Sequence, residues 1–130
     1  MATALKTGGL DGVVVAETRL SHVDGERGQL VVAGDNVEDV AGRQRYSQMA
    51  ARLWHLGSGD DVTHVEALLG RARVDAFAKR NEAAWKMADG MDALRASLAA
   101  MTLSPGLSAV EEAAQLAGAM AVNAAGWARV

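Results

Sequence analysis

Three histidines, His22, His55 and His64, have the widest chemical repertoire in this 130-residue chain. An imidazole acts as a general base, activates a nucleophile or binds zinc. Each role needs a second group at a set spacing, another His or Cys for a metal or a carboxylate and a hydroxyl for a triad. None of the three has such a neighbour in the sequence. His22 falls in a hairpin and is read as a surface residue. His55 follows Trp54 at the end of an apolar helix and is read as packed or as capping carbonyls, and His64 sits on the first turn of a short helix. Cysteine is absent, which removes disulfides and Cys-built zinc clusters. Asp60-Asp61 and Glu111-Glu112 have the composition of general acid/base or metal-binding pairs. Both stand where helices begin, and the positive end of the helix dipole accounts for them without catalysis. Neither Gly-x-Ser-x-Gly nor Ser-x-x-Lys occurs, and Gly8-Gly9 with Gly12 lacks the spacing of a phosphate loop. Trp54, Trp85 and Trp127 occupy apolar helical positions, which points to core or interface. No residue is assigned to catalysis, cofactor binding or metal ligation.

The elements that would hold these side chains are punctuated by glycine, proline and capping residues. Residues 19–23 and 29–32 flank Asp24-Gly25-Glu26-Arg27-Gly28, a hairpin signal, and Val13-Val14-Val15 is a β-branched run before it. Strands this short are marginal alone and must pack on something else. Asn36 can cap a short helix that Gly42 ends. Over residues 43–56, Tyr46, Met49, Ala50, Leu53 and Leu56 or Trp54 form one helical face, stopped by Gly57-Ser58-Gly59. Ser58 with Asp61 and Thr63 with Glu66 have the spacing of a capping box before a short helix bearing Val62, Val65, Leu68 and Leu69. The next stripe runs through Val74, Phe77, Ala78, Ala84, Trp85 and Ala88, interrupted at Asn81. Gly90 precedes a helix with Met91, Leu94, Leu98 and Met101, closed by Ser104-Pro105-Gly106. Ser108 and Glu111 open the last helix, whose many small residues predict that other helices enclose it on all sides. A chain ending on such a helix reads as a piece of something larger.

Composition sets the scale of the core. Apolar residues make up 50% of the chain, yet 27 residues are alanine and there is no isoleucine. Alanine supplies little apolar area, so the core material is thin and stability alone should be modest. A net charge of −3 with no basic stripe gives no electrostatic warrant for nucleic acid or an anionic membrane. The N-terminus resembles neither a signal nor a transit peptide, so the expected location is cytoplasmic.

The stretch Gly9-Leu10-Asp11-Gly12-Val13-Val14-Val15-Ala16-Glu17-Thr18, followed by Ser21, Val23-Asp24-Gly25-Glu26, Gly28 and Leu30, resembles the N-terminal start of the citrate synthase family, 2-methylcitrate synthases included. Val37-Glu38-Asp39-Val40-Ala41 looks like that family's short helix after the hairpin. Leu53-Trp54-His55 with Gly57 is similar to its Leu-Trp-His-Gly element, and Met91-Asp92-Ala93-Leu94-Arg95 to its Met-Asp-Ala-Leu-Arg element. Departures occur at Val32-Ala33-Gly34-Asp35-Asn36, where the family usually has an aromatic and an Arg before the glycine. Gly90 stands in an element that usually carries a proline.

The resemblance implies a mainly α fold, a citrate synthase-like N-terminal helical region preceded by a small β-hairpin. Residues 1–35 would form the extended segment and hairpin, and residues 36–130 the helical region, as a single domain within a larger assembly. It also implies condensation of acetyl-CoA or another acyl-CoA with a 2-oxo acid such as oxaloacetate. The family's two catalytic histidines and aspartate lie later in a longer chain, in motifs not found here, so none is carried over. The leading expectation is a small N-terminal scaffold subunit that binds no cofactor itself. Its partner would be a larger citrate synthase-like chain carrying the catalytic residues, met through Trp54, Trp85 and the Ala-rich face of residues 113–128. The alternatives are a self-associating, non-catalytic interaction or regulatory protein derived from the synthase fold, or a truncated fragment of a full-length citrate synthase.

Overall fold

A computed structural model describes residues 13–14 and 16–130. Gly8, Gly9, Gly12 and Val15, and with them parts of the β-branched run and of the first motif, lie outside the described residues.

The hairpin forms as its turn residues direct. Strands β1 (Ser21–Asp24) and β2 (Gln29–Val32) pair antiparallel with Ser21 opposite Val32 and Asp24 opposite Gln29. Asp24 Oδ1 accepts from the Glu26 and Arg27 backbone N–H groups, and Gly28 takes a left-handed φ of 64° that a Cβ would strain. A third strand, β3 (Asp35–Asn36), adds to β2, an element that the sequence did not signal because it is two residues long. The tight return through Ala33 and Gly34, both at positive φ, makes that pairing. The sheet is fastened to the helices by Arg52. Its guanidinium pairs with the Asp35 carboxylate and donates to the Ala33 carbonyl at 3.0 Å.

Six helices follow among the described residues. Helix α1 (Val37–Val40) is capped by Asn36, as its sequence predicts. Helix α2 (Tyr46–Ser58) starts three residues later than expected, because the Gln48 side chain accepts from the Arg45 N–H and fixes the start there. Gly57 and Ser58 stay helical, and Gly59 at φ 77° ends α2. Tyr46 and Leu56, both expected on its apolar face, are exposed.

The two capping boxes expected before the next helix do not form. Ser58 Oγ donates to the Trp54 carbonyl, Thr63 binds Asp61, and Glu66 instead meets Arg45 and Ser47 on α2. Helix α3 (Val65–Ala78) therefore begins at His64 and runs unbroken across what read as two stripes. Val74 and Phe77, expected to be buried, are 72% and 54% exposed. Asn81 caps the single-turn helix α4 (Glu82–Trp85), and Asp89 caps α5 (Gly90–Ala99) through the Met91 and Asp92 N–H groups. Helix α6 (Ala109–Trp127) opens with the expected Ser108/Glu111 capping box.

The core lies where α2, α3 and α6 meet. Ala50, Val65, Leu69, Val110 and Ala114 are buried together, with Trp54, Val62, Leu68 and Ala117 half-buried against them. Among the described residues only Leu69 and Val65 are large side chains with virtually no exposure, so the core is as thin as the composition predicts. The α3–α6 contact is the most extensive in the fold. A Cβ on Gly118 would stand 2.7 Å from the Ala72 Cβ and 3.0 Å from the Ala72 carbonyl carbon. The small residues of α6 thus serve close approach, but on one side. Leu116, Met120, Ala121, Ala124 and Ala125 are exposed, so the described residues do not enclose the helix all round. No helix of the described residues is long and apolar enough to cross a membrane.

Candidate functional site

The three histidines remain apart. His22 lies exposed on β1 opposite Val31, and His64 is exposed at the start of α3. His55, on the last turn of α2, is exposed and places Nδ1 3.0 Å from the carbonyl of Asp60, which lies past the helix end, so it neither packs nor caps the helix's own last carbonyls. Among the described residues no three His, Cys, Asp or Glu side chains gather as a metal site would require.

One acid of each pair is engaged locally: Asp61 lies in the loop before α3, outside the first helical turn where the pair was expected, and Glu111 lies on the first turn of α6. The Thr63 backbone N–H, aided by its hydroxyl, holds the Asp61 carboxyl below the ordinary carboxylate value. The Ser108 N–H, aided by its hydroxyl, does the same for Glu111. A lowered folded-state value stabilises the fold above the ordinary values of 3.8 and 4.5, and that contribution disappears as pH falls through the lowered values. Replacing both acids, Asp61→Asn with Glu111→Gln, is expected to flatten the fall of Tm on acidification. Thermal melts at stepped pH check this, and an unchanged slope would refute it.

The tryptophans act inside the fold. Trp85 Nε1 donates to Asn123 Oδ1 at 2.9 Å, and its ring lies on Gly126 so closely that a Cβ there would come within 2.3 Å. Trp127 Nε1 donates to the Met87 carbonyl at 2.9 Å, and its ring lies over Gly90. Each indole fills the space above a glycine and so ties α6 to α4 and α5. Trp54 joins the core. Trp54 and Trp85, expected to face a partner, are half-buried and make these internal contacts. Sequence reasoning missed Asn123, the buried polar residue that anchors Trp85; a lone amide in an alanine-rich stripe is its only signal.

The apolar surface left over lies elsewhere. Val74 and Phe77 on α3, Met91 on α5, and Leu116 and Met120 on α6 are all exposed. The Arg80 guanidinium sits 4.4 Å from the Phe77 ring centroid and donates to the Phe77 carbonyl, so the ring's position is fixed while it stays exposed. Large apolar side chains left exposed on three helices, beside a core of mostly alanine, are of the kind that a partner buries.

A family model described as "Citrate synthase, C-terminal domain" matches residues 9–130. The chain belongs to the citrate synthase family. A citrate synthase of Haloferax volcanii is 45% identical over 56 residues, which is 42% of this chain and 15% of that protein. The chain thus spans a small part of the citrate synthase it matches. No solved structure matches. The mainly helical architecture behind a small antiparallel sheet is the one that the resemblance to the citrate synthase family implied.

Proposed function

We propose that this chain is a non-catalytic scaffold of a citrate synthase-type acyltransferase, completed by a larger chain that carries the catalytic residues. The assembly would condense an acyl-CoA with a 2-oxo acid such as oxaloacetate, in the cytoplasm. The acyl-CoA is substrate of the completed assembly, and this chain binds no cofactor of its own. The observation that carries the reading is the exposure of the large apolar residues Val74, Phe77, Met91, Leu116 and Met120 on three helices in a chain of this family. Obligate partners bury such surfaces, and their interfaces resemble a domain core cut in two.

Native mass spectrometry of the protein from its own source, followed by a thiol-release assay with acetyl-CoA and oxaloacetate, tests it. A stoichiometric complex with a larger chain that releases CoA supports the scaffold reading. A monomer that is well folded and indifferent to a synthase-like chain overturns it, as does CoA release by the chain alone. A self-associated, inactive chain would favour an interaction module instead. A second reading, that the chain is a piece of a full-length synthase, is favoured by the family match across residues 9–130; the intact mass of the source protein separates the two.

The surface itself is testable. Val74 and Phe77 are exposed, so the double variant Val74→Ser, Phe77→Ser should leave the circular dichroism of the isolated chain unchanged while weakening assembly at least about tenfold, the order expected for losing an aromatic anchor. Full assembly by the double variant would place the interface elsewhere.

A further inference from the structure

Helix α3 turns its buried side, with Val65, Leu69 and Ala72, to α2 and α6. On the opposite side Ala67, Gly70, Val74 and Phe77 follow one another at three- and four-residue spacings, and all four are exposed. Residues so spaced are neighbours on a helix surface, so they form one uncovered seam of the kind that a second helix packs against. Gly70 says how closely that helix comes. A glycine inside a helix is less favourable than an alanine, and one is kept there where a neighbour needs the room. Gly118 and Gly126 on α6 meet that description, since Ala72 and the Trp85 ring occupy the space above them. A Cβ on Gly70 would meet nothing within 4 Å, so no neighbour among the described residues uses the room it leaves.

Charge along the seam narrows the chemistry of what covers it. Arg71 borders it beside Ala67 and Val74, and Arg73 borders it on the other side beside Gly70 and Phe77. The two carboxylates of the helix are already engaged, Glu66 by Arg45 at 3.1 Å and Asp75 by Lys79 at 2.9 Å. Arg71 and Arg73 are exposed, and among the described residues neither pairs with a carboxylate; Arg71 acts on Glu111 only through space. An apolar seam with uncompensated positive charge on both edges selects a surface that carries negative charge in the same places. We propose that the seam receives one helix of a partner protein, packed closely over Gly70, whose own apolar face is edged by Asp or Glu side chains. The inference rests on the reading that a larger chain completes this one, and it specifies the element of that chain which docks here. A second copy of the seam would bring arginines along both edges as well, like charge against like.

The larger chain that co-purifies from the protein's own source is titrated onto variants of this one. Gly70→Ala is expected to melt higher than the wild type and yet bind at least about tenfold more weakly, because the new methyl forces the two helices apart. A loss of affinity in a chain that has become more stable does not come from unfolding. Arg71→Glu with Arg73→Glu should weaken binding by a similar factor, whereas Arg71→Lys with Arg73→Lys should hold it within about threefold. In the latter variant a carbodiimide should couple the substituted positions to Asp or Glu residues on one helix of the larger chain. Undiminished affinity of Gly70→Ala, or of the charge-reversed variant, overturns this inference and leaves the scaffold reading standing. Recovery of the chain alone, or only with copies of itself, overturns both.

Discussion

Leu69→Ala is expected to remove about 2–5 kcal/mol of stability, with the result near the upper end. Leu69 is 1% exposed and sits against Ala50, Val65, Val110 and Ala114. The cost of such a truncation depends on how far the surroundings can close the void. Alanines have no rotamers to swing into it, so most of the cavity should persist. A domain stable by about 5–15 kcal/mol would lose a third or more of its margin. Urea unfolding followed by circular dichroism measures the change, and a loss below about 1 kcal/mol would mean the core is not where α2, α3 and α6 meet. Leu53 and Trp54 are the large residues that the apolar spacing of residues 43–56 marks for the core. Both are half-buried, so the full effect falls on Leu69.

Two glycine substitutions should have opposite signs. Gly118→Ala puts a methyl 2.7 Å from the Ala72 Cβ and 3.0 Å from α3 backbone, which cannot rotate away. The helices must separate, at a cost of about 1–3 kcal/mol that outweighs the gain of about 1 kcal/mol from better helix propensity. Gly70→Ala, on the exposed side of α3 with nothing within 4 Å of the new methyl, keeps the propensity gain alone. It should raise stability by about 1 kcal/mol. Denaturant midpoints of the pair check this together. Stabilisation by both would mean that α3 and α6 are not in backbone contact.

What could be read from the sequence divides by the range of the signal. The Asp24 to Gly28 turn and the caps at Asn36 and Ser108 are set by neighbours a few residues away, and the structure has them as expected. The pairs Ser58/Asp61 and Thr63/Glu66 have the right spacing yet do not cap, because Ser58 bonds back to the Trp54 carbonyl, Asp61 binds Thr63 and Glu66 is drawn to Arg45 at the start of α2. Spacing cannot register that competition. Periodicity likewise placed Val74 and Phe77 on a buried stripe, although α3 presents Ala72 and Leu69 to α6 and α2 instead. Where alanine is abundant, large residues cease to mark the inner face. The exposed apolar residues escaped for a related reason, since their role depends on what the third dimension leaves uncovered. The family resemblance was legible because its motifs are local strings.

The contact of Gly118 with Ala72 also has an entropic side. Larger core side chains surrender rotamer freedom when buried, up to about 1.5–2 kcal/mol each for the most flexible, whereas alanine and glycine have none to lose. The α3–α6 seam therefore gains little from each residue it buries but also gives up little side-chain freedom to become ordered. Lacking alternative rotamers, it has essentially one way to fit. The two helices should consequently move as a single stiff unit, against which a partner docking on the exposed side of α6 would find a surface already set in its bound shape.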